Sequence, residues 1–166
     1  MLSTATILTA LTRLSDELGS RGVLGELNVV GGTAMILAFN ARSSTKDVDA
    51  IFEPTSDIRA AAALVAESLG IPKDWLNHAA NPIQSIDLPN LRVQAPTPEY
   101  MLAMKVLAAR TGIAGDRGDA QDIAFLIRLL GLKDANAVMS IVTRYYDPSR
   151  ILPRSNYLVD EILDQI

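Results

Sequence analysis

The chain has 166 residues, 49% of them apolar, with 15 basic and 19 acidic side chains and a net charge of −4. This length and composition predict one folded domain, or one domain with a small helical appendage, and exclude a disordered protein. The mild acidic balance argues against binding nucleic acid through overall charge. The absence of cysteine excludes disulfides and cysteine-ligated metals. The sequence shows no signal peptide and no apolar run that could span a membrane, so we expect a cytoplasmic protein with no membrane association.

Hydrophobic periodicity, together with glycine and proline positions, predicts short strands in the first 95 residues and mainly helices after them. In chain order the predicted elements are a helix at 2–19, a strand at 26–30, a short helix at 33–39, a strand at 47–52, a helix at 57–69, strands at 83–88 and 91–95, and helices at 97–110, 116–130, 134–146 and 156–166. Thr97 is the expected N-cap of its helix, with Pro98 at the first position. The pattern predicts an α+β fold. A small mixed sheet flanked by helices (1–95) is followed by a helical part (96–166) packed on it as one compact unit.

Two acidic residues stand two positions apart on the strand predicted at 47–52. Because side chains alternate along a strand, Asp47 and Asp49 should project from one face, with Cα atoms roughly 6.5–7 Å apart. We expect Val48 and Ile51 to face the core. The two carboxylates repel each other unless a divalent cation lies between them, and Mg²⁺ commonly takes one or two protein carboxylates plus substrate phosphates. The alternative is a strand that ends in a solvated acidic edge.

A glycine pair precedes the short helix predicted at 33–39. Gly31 and Gly32 have no side chains to block a close backbone approach, and a helix that starts at Thr33 directs free N–H groups outward, which suits a triphosphate. The alternative is an ordinary turn. The order of strand, glycine pair, helix, loop and acidic strand is more specific than either motif alone.

Lys105 lies in the middle of a predicted helix among apolar neighbours at 101, 102, 108 and 109. It therefore belongs to the buried stripe, either extending to solvent along its apolar stem or reaching into a cleft to stabilise negative charge. If it reaches a cleft, we expect Lys105→Met to leave the fold intact and remove only the charge.

Three aspartates follow at a spacing of three. Asp116 is a plausible N-cap with Asp119 at the third helical position, so both are explained by capping and the helix dipole. Asp122 lies deeper in the helix and is the least explained in this way.

The order of these motifs resembles the nucleotidyltransferase superfamily. The segments that carry the resemblance are "GGTA", "R-S-x-x-D-V-D", "PEYMLAMKVLAAR" and "DRGDAQDIAFL", which together span residues 26–130. They are most similar to the AbiEii-type toxin group and related small nucleotidyltransferases. The resemblance implies a polymerase-beta-like fold. One departure is that many nucleotidyltransferases have Gly-Ser where this chain has Gly31-Gly32-Thr33.

The resemblance also implies roles for particular residues. The catalytic residues would be Asp47, Asp49, Lys105, Asp119 and Asp122, with Asp47 and Asp49 as ligands of Mg²⁺ or Mn²⁺. Because polymerase-like members carry a third carboxylate on a later strand, Asp87, on the strand predicted at 83–88, is another candidate for it. The nucleotide would be held by Gly31, Gly32, Thr33, Arg42 and Lys46. From the pattern alone, Arg42 and Lys46 are as well explained as solubilising surface residues. We assign no role to Trp75 or His78.

The implied activity is transfer of a nucleoside monophosphate from a nucleoside triphosphate (NTP) to an acceptor hydroxyl. For the toxin group the implied acceptor is RNA, particularly a tRNA end; in other branches it is an antibiotic or a protein side chain. A toxin would also have a cognate antitoxin protein as partner. Two other hypotheses are a catalytically degenerate member that binds nucleotide or a partner protein, and a plain interaction domain. We see no stripe of basic residues interleaved with aromatic ones of the kind that favours RNA.

Overall fold

The fold is seen in a computed structural model, which describes residues 1–78, 85–109 and 117–166. Residues 83–84 of a predicted strand, and Asp116 with its predicted capping role, lie outside the described residues. The chain divides into two units, Met1–Pro96 and Thr97–Ile166. That these two units pack as one compact body stays a prediction.

The first unit contains a mixed sheet and three helices among its described residues. In chain order the elements are β1 (Leu2–Ser3), α1 (Thr4–Ser20), β2 (Gly25–Val29), α2 (Gly31–Leu37), β3 (Ser44–Thr45), β4 (Val48–Glu53), α3 (Thr55–Leu69), β5 (Leu76–His78), β6 (Ser85–Leu88) and β7 (Leu91–Gln94). The larger sheet has the strand order β5-β4-β2-β7-β6, and β1 pairs with β3. β4 runs antiparallel to β2, whereas β7 runs parallel to it.

The two faces of the larger sheet differ in polarity because side chains alternate along each strand. One face is apolar and packs against α1 and α3, with its buried side chains from Leu27, Val29, Val48, Ala50, Phe52 and Val93. The other face is mostly polar and includes Glu26, Asn28, Asp49, Arg92 and Gln94. The expectation that Ile51 faces the core with Val48 is wrong, because Ile51 lies two residues from Asp49 and shares its face.

The second unit is helical within its described residues. Its elements are α4 (Pro98–Ala108), α5 (Arg117–Leu129), α6 (Ala135–Tyr145), a short 3-10 helix (Pro148–Arg150) and α7 (Pro153–Leu163). α4 packs against α5, α6 and α7. Fully buried apolar side chains such as Met101, Leu102, Ile123, Leu126 and Val142 form its core. None of the described helices is long and apolar enough to cross a membrane.

The α+β prediction is confirmed, and the long helices lie close to their predicted positions. α1 begins at Thr4, not at residue 2, because the Ser3 side chain caps it by accepting a hydrogen bond from the Thr6 N–H. The Thr97 cap is confirmed. α7 begins at Pro153, three residues before the predicted start, with the proline in the first turn. The strands β1, β3 and β5 were not predicted, because two or three residues are too few to establish a periodicity.

The cap of α6 gives a direct test of this unit. The Asp134 carboxylate accepts a hydrogen bond of 2.9 Å from the Ala137 N–H. Asp134→Ala should lower the free energy of unfolding by about 0.5–2 kcal/mol, measured by urea denaturation. Asp160→Ala is the control, because Asp160 is an exposed aspartate within α7 and its replacement should change stability by less than about 0.5 kcal/mol. Equal effects of the two variants would contradict the cap.

Candidate active site

The glycine pair lies against the acidic strand. Gly31 has a φ of +58°, and a Cβ atom built on it would lie 3.2 Å from Oδ2 of Asp49. A Cβ atom on Gly32 would lie 2.5 Å from Oγ1 of Thr45 and 3.8 Å from Nη1 of Arg42. Both positions therefore exclude larger residues, the first by conformation and crowding and the second by crowding.

The Thr33 side chain is hydrogen-bonded to the backbone of the segment that carries Asp47 and Asp49. Its hydroxyl is fully buried and donates a hydrogen bond of 3.1 Å to the carbonyl oxygen of Asp47. In addition, the N–H of Val30 donates to the carbonyl oxygen of Asp49 at 2.8 Å. These two bonds fix the register between the glycine turn and both acids. Direct contact of the Thr33 hydroxyl with a phosphate would require the first bond to break.

The short helix starts two residues earlier than predicted. α2 begins at Gly31, with Val30 in the N-cap position and no side-chain cap. Because the first N–H groups of a helix have no acceptor within it, the amides of the glycine pair are directed out of the helix end. Gly31 and Gly32 are therefore the first residues of the helix, whereas the sequence predicted that they form a turn before it.

Asp47 and Asp49 are half-buried at the start of β4, with Asp47 just before the strand. Nδ2 of Asn77 donates a hydrogen bond of 3.0 Å to Oδ2 of Asp47, and Asn77 is paired with Asp49 in the parallel register of β4 and β5. Sequence reasoning missed Asn77. The only available signal was a polar residue two positions after a tryptophan, and β5 is too short to be recognised as a strand.

The two basic residues of the preceding loop differ in exposure. Arg42 is half-buried near Gly32, whereas Lys46 is exposed immediately before Asp47. Their contact with a nucleotide stays a prediction.

The carboxylates at this site form a pair. Among the residues that the structure describes, no group of three histidine, cysteine, aspartate or glutamate side chains could hold a metal ion. Two carboxylate ligands are sufficient for Mg²⁺ when a bound triphosphate supplies further oxygens. Gly31, which keeps the space beside Asp49 free of a side chain, fits that arrangement.

Asp87, the other candidate for a third carboxylate, lies far from Asp47 and Asp49 in the sheet. It is on β6, where it pairs with Arg92 of β7. Arg92 pairs with Glu26 of β2, which in turn pairs with Glu53 of β4. Asp49 is four residues from Glu53 along β4, roughly 13 Å, and three strand spacings separate β4 from β6, roughly 14 Å. Asp87 instead forms an exposed ion pair of 3.4 Å with Arg92. The sheet topology therefore argues against Asp87 as the third carboxylate.

Lys105 forms a buried ion triad with two carboxylates in the second unit. Its Nζ atom lies 2.6 Å from Oδ1 of Asp119 and 2.9 Å from Oδ2 of Asp122. The Lys105 side chain is 11% exposed, that of Asp122 is 2% exposed and that of Asp119 is 25% exposed. Asp119 lies in the first turn of α5 and Asp122 one turn further on, so consecutive turns of the helix present both carboxylates to one ammonium.

The triad determines the protonation of Lys105. Burial by itself lowers the pKa of Lys105, but the hydrogen bonds to Asp119 and Asp122 and their negative charges outweigh it, so the pKa lies above its ordinary value. The ammonium therefore stays charged at neutral pH. An ammonium has three N–H donors, and the two carboxylates take two of them.

Comparison with known proteins identifies the fold. No protein-family model matches the sequence, and no curated protein matches it. Among solved structures, the chain is similar to an antigenic nucleotidyltransferase-like protein from Paracoccidioides brasiliensis, with a TM-score of 0.50 and 16% identity over 95% of this chain and 94% of that one. The chain has a nucleotidyltransferase-like fold.

This fold agrees with the nucleotidyltransferase fold that the sequence resemblance implies. Within this fold, the first unit holds Asp47, Asp49, the glycine pair, Thr33, Arg42 and Lys46, and the second unit holds Lys105, Asp119 and Asp122. The roles of these residues and the finer assignment to the AbiEii-type group stay predictions.

The ion triad changes the expectation for Lys105→Met. This substitution removes the ammonium that both carboxylates contact, one of them almost fully buried, so the free energy of unfolding should fall by about 3–5 kcal/mol in urea denaturation. Lys133→Met is the control, because Lys133 is exposed and its loss should change stability by less than about 0.5 kcal/mol. Adding Asp122→Leu to Lys105→Met should restore part of the loss. Wild-type stability of Lys105→Met would contradict the triad.

Proposed function

We propose that this protein is a metal-dependent nucleotidyltransferase that transfers a nucleoside monophosphate from an NTP to an acceptor hydroxyl. The observation that carries the proposal is the position of Asp49 beside Gly31. A half-buried acidic pair faces a turn that lacks side chains, and backbone hydrogen bonds from Val30 and Thr33 hold the two segments together.

The donor set suits a hard divalent cation. Asp47 and Asp49 would hold Mg²⁺ or Mn²⁺, with the remaining ligands supplied by the triphosphate. The bound ion would supply charge stabilisation to the entering and leaving oxygens. The Asn77 amide keeps one oxygen of Asp47 oriented, and the amides of the glycine pair would donate to phosphate oxygens.

In the proposed reaction, the acceptor oxygen forms a bond to the α-phosphorus while the bond from that phosphorus to the bridging oxygen breaks. The acceptor hydroxyl releases its proton to solvent, and pyrophosphate leaves with the electron pair of the broken bond. The protein contributes mainly positioning and charge stabilisation. In this proposal Arg42 and Lys46 contact the triphosphate. The roles that the resemblance implies for Lys105, Asp119 and Asp122 stay predictions.

The finer assignment is to a toxin of the AbiEii-type group. It is supported by the order of the glycine pair, the D-x-D strand, the lysine-bearing helix and the D-x-x-D helix along the chain. For such a toxin the acceptor would be a tRNA end, and the partner would be a cognate antitoxin protein.

One observation favours a second candidate, a degenerate member that binds nucleotide or a partner protein without transfer. Many nucleotidyltransferases have Gly-Ser where this chain has Gly31-Gly32-Thr33, and the Thr33 hydroxyl is buried against the Asp47 carbonyl. Incubation with Mg²⁺ and each α-labelled NTP in a cell extract separates the candidates. Transfer of label into a macromolecule supports the enzyme, and binding without transfer supports the degenerate member.

The acidic pair gives the central test. Asp47→Asn combined with Asp49→Asn removes both charges while preserving side-chain size, so it should abolish the rise in melting temperature that Mg-NTP produces in the wild type. Asp16→Asn, at an exposed aspartate of α1, should keep that rise. An equal rise in the double variant and the wild type would overturn the assignment of Asp47 and Asp49.

Gly31 allows a second test with a matched control. Gly31→Ala and Gly70→Ala both place a side chain at positive φ, +58° and +62°, but only the first introduces a contact, with Asp49. Both should lose about 1–2 kcal/mol of unfolding free energy from backbone strain. Only Gly31→Ala should also lose the Mg-NTP-induced rise in melting temperature. A normal rise in Gly31→Ala would show that this turn does not approach the nucleotide.

A further inference from the structure

The four tyrosines of the chain all lie in the second unit, three of them within residues 145–157. The Tyr100 and Tyr145 rings meet nearly at right angles, with centroids 5.3 Å apart. Burial, and after it the neighbouring Tyr100 side chain, raise the pKa of Tyr146 to about 12. The Arg150 guanidinium lies 5.9 Å from the centroid of the Tyr146 ring. These four residues, Tyr100, Tyr145, Tyr146 and Arg150, are here called the tyrosine cluster.

Packing between α4 and α6 does not by itself account for the tyrosine cluster. Tyr145 is 43% exposed, and Arg150 and the neighbouring Arg144 are exposed. The exposed part of the Tyr145 side chain therefore lies outside the contact between the two helices. The cluster instead presents aromatic surface together with guanidinium groups to solvent.

The stretch of sequence that carries Tyr145, Tyr146 and Arg150 is positively charged, although the chain as a whole is acidic. Residues 144–154 contain Arg144, Arg150 and Arg154 but one acid, Asp147, so this stretch carries +2 in a chain of net charge −4. The Asp147 carboxylate accepts hydrogen bonds of 2.8 and 2.6 Å from the backbone N–H and the hydroxyl of Ser149. The sequence expectation of no basic stretch with interleaved aromatic residues is therefore wrong for this segment.

We infer that the tyrosine cluster, with Arg144, binds single-stranded RNA. Every base has a π-face, so an exposed tyrosine stacks on unpaired bases with little sequence preference, while arginine contacts phosphates and adds cation–π attraction. Phosphates match the local positive charge. The inference rests on the proposed function to the extent that such RNA would be the acceptor, because a strand end carries the hydroxyl that a nucleotidyltransferase uses.

The test measures binding of a fluorescently labelled single-stranded RNA of about 12 nucleotides by anisotropy, without NTP or Mg²⁺. Tyr145→Leu should weaken binding about 5- to 100-fold, as expected for the loss of one stacked base, whereas Tyr145→Phe should retain it. Arg144→Gln with Arg150→Gln should reduce the slope of log affinity against log salt by about 1.4. Arg13→Gln with Arg21→Gln removes two exposed charges from the first unit and should leave affinity and slope unchanged.

A fully paired RNA duplex of the same sequence should bind at least about 10-fold more weakly, because its bases cannot stack on tyrosine. The inference is overturned if wild-type protein shows no saturable binding to the single strand below about 100 μM, or if the tyrosine and arginine variants bind it as the wild type does. The Mg-NTP melting test is run in parallel on the same samples. RNA binding without an NTP response would reject the proposed function alone, and an NTP response without RNA binding would reject this inference alone.

Discussion

Two hydrogen bonds, from the Val30 N–H to the Asp49 carbonyl and from the Thr33 hydroxyl to the Asp47 carbonyl, fix the geometry of the candidate site. Both bonds are accepted by backbone carbonyls of the two acidic residues. They therefore position β4 relative to α2 without involving the carboxylates. A Cβ atom on residue 31 would then lie 3.2 Å from Oδ2 of Asp49, so a side chain there would crowd this carboxylate. The register of β4, the start of α2 and the conformation of Gly31 therefore depend on one another. A change in any of them alters the position of the acidic pair.

The acidic residues of the two units are held in different ways. In the first, hydrogen bonds from Val30 and Thr33 to the backbone carbonyls of Asp49 and Asp47 hold the two acids at the start of a strand. In the second, Asp119 and Asp122 share one ammonium, and the low exposure of Lys105 makes each partner necessary to the others. Substitutions in the first unit should therefore affect ligand binding before stability, whereas substitutions in the triad affect stability first.

The sequence predicted most of the fold, because long helices and alternating strands repeat their pattern often enough to be recognised. It identified Asp47, Asp49, the glycine pair and Lys105 because each departs from its local pattern. It could not supply contacts between distant segments. The burial of the Thr33 hydroxyl, the bond from Asn77 to Asp47 and the separation of Asp87 from the acidic pair all follow from strand order and register. The tyrosine cluster was missed because Tyr100 is more than 40 residues from its partners in the sequence.

Trp75, the single tryptophan of the chain, lies two residues before Asn77 and directly before β5. Its ring is fully buried, its Nε1 donates to the Ala62 carbonyl at 3.0 Å, and its own carbonyl accepts from the Val48 N–H at 2.6 Å. Trp75 thus binds α3 through its indole and the start of β4 through its backbone carbonyl, next to Asp47. Its intrinsic fluorescence consequently originates entirely from the first unit, whereas the tyrosine emission originates entirely from the second. The native chain therefore carries a separate optical reporter for each of its two units and needs no added label.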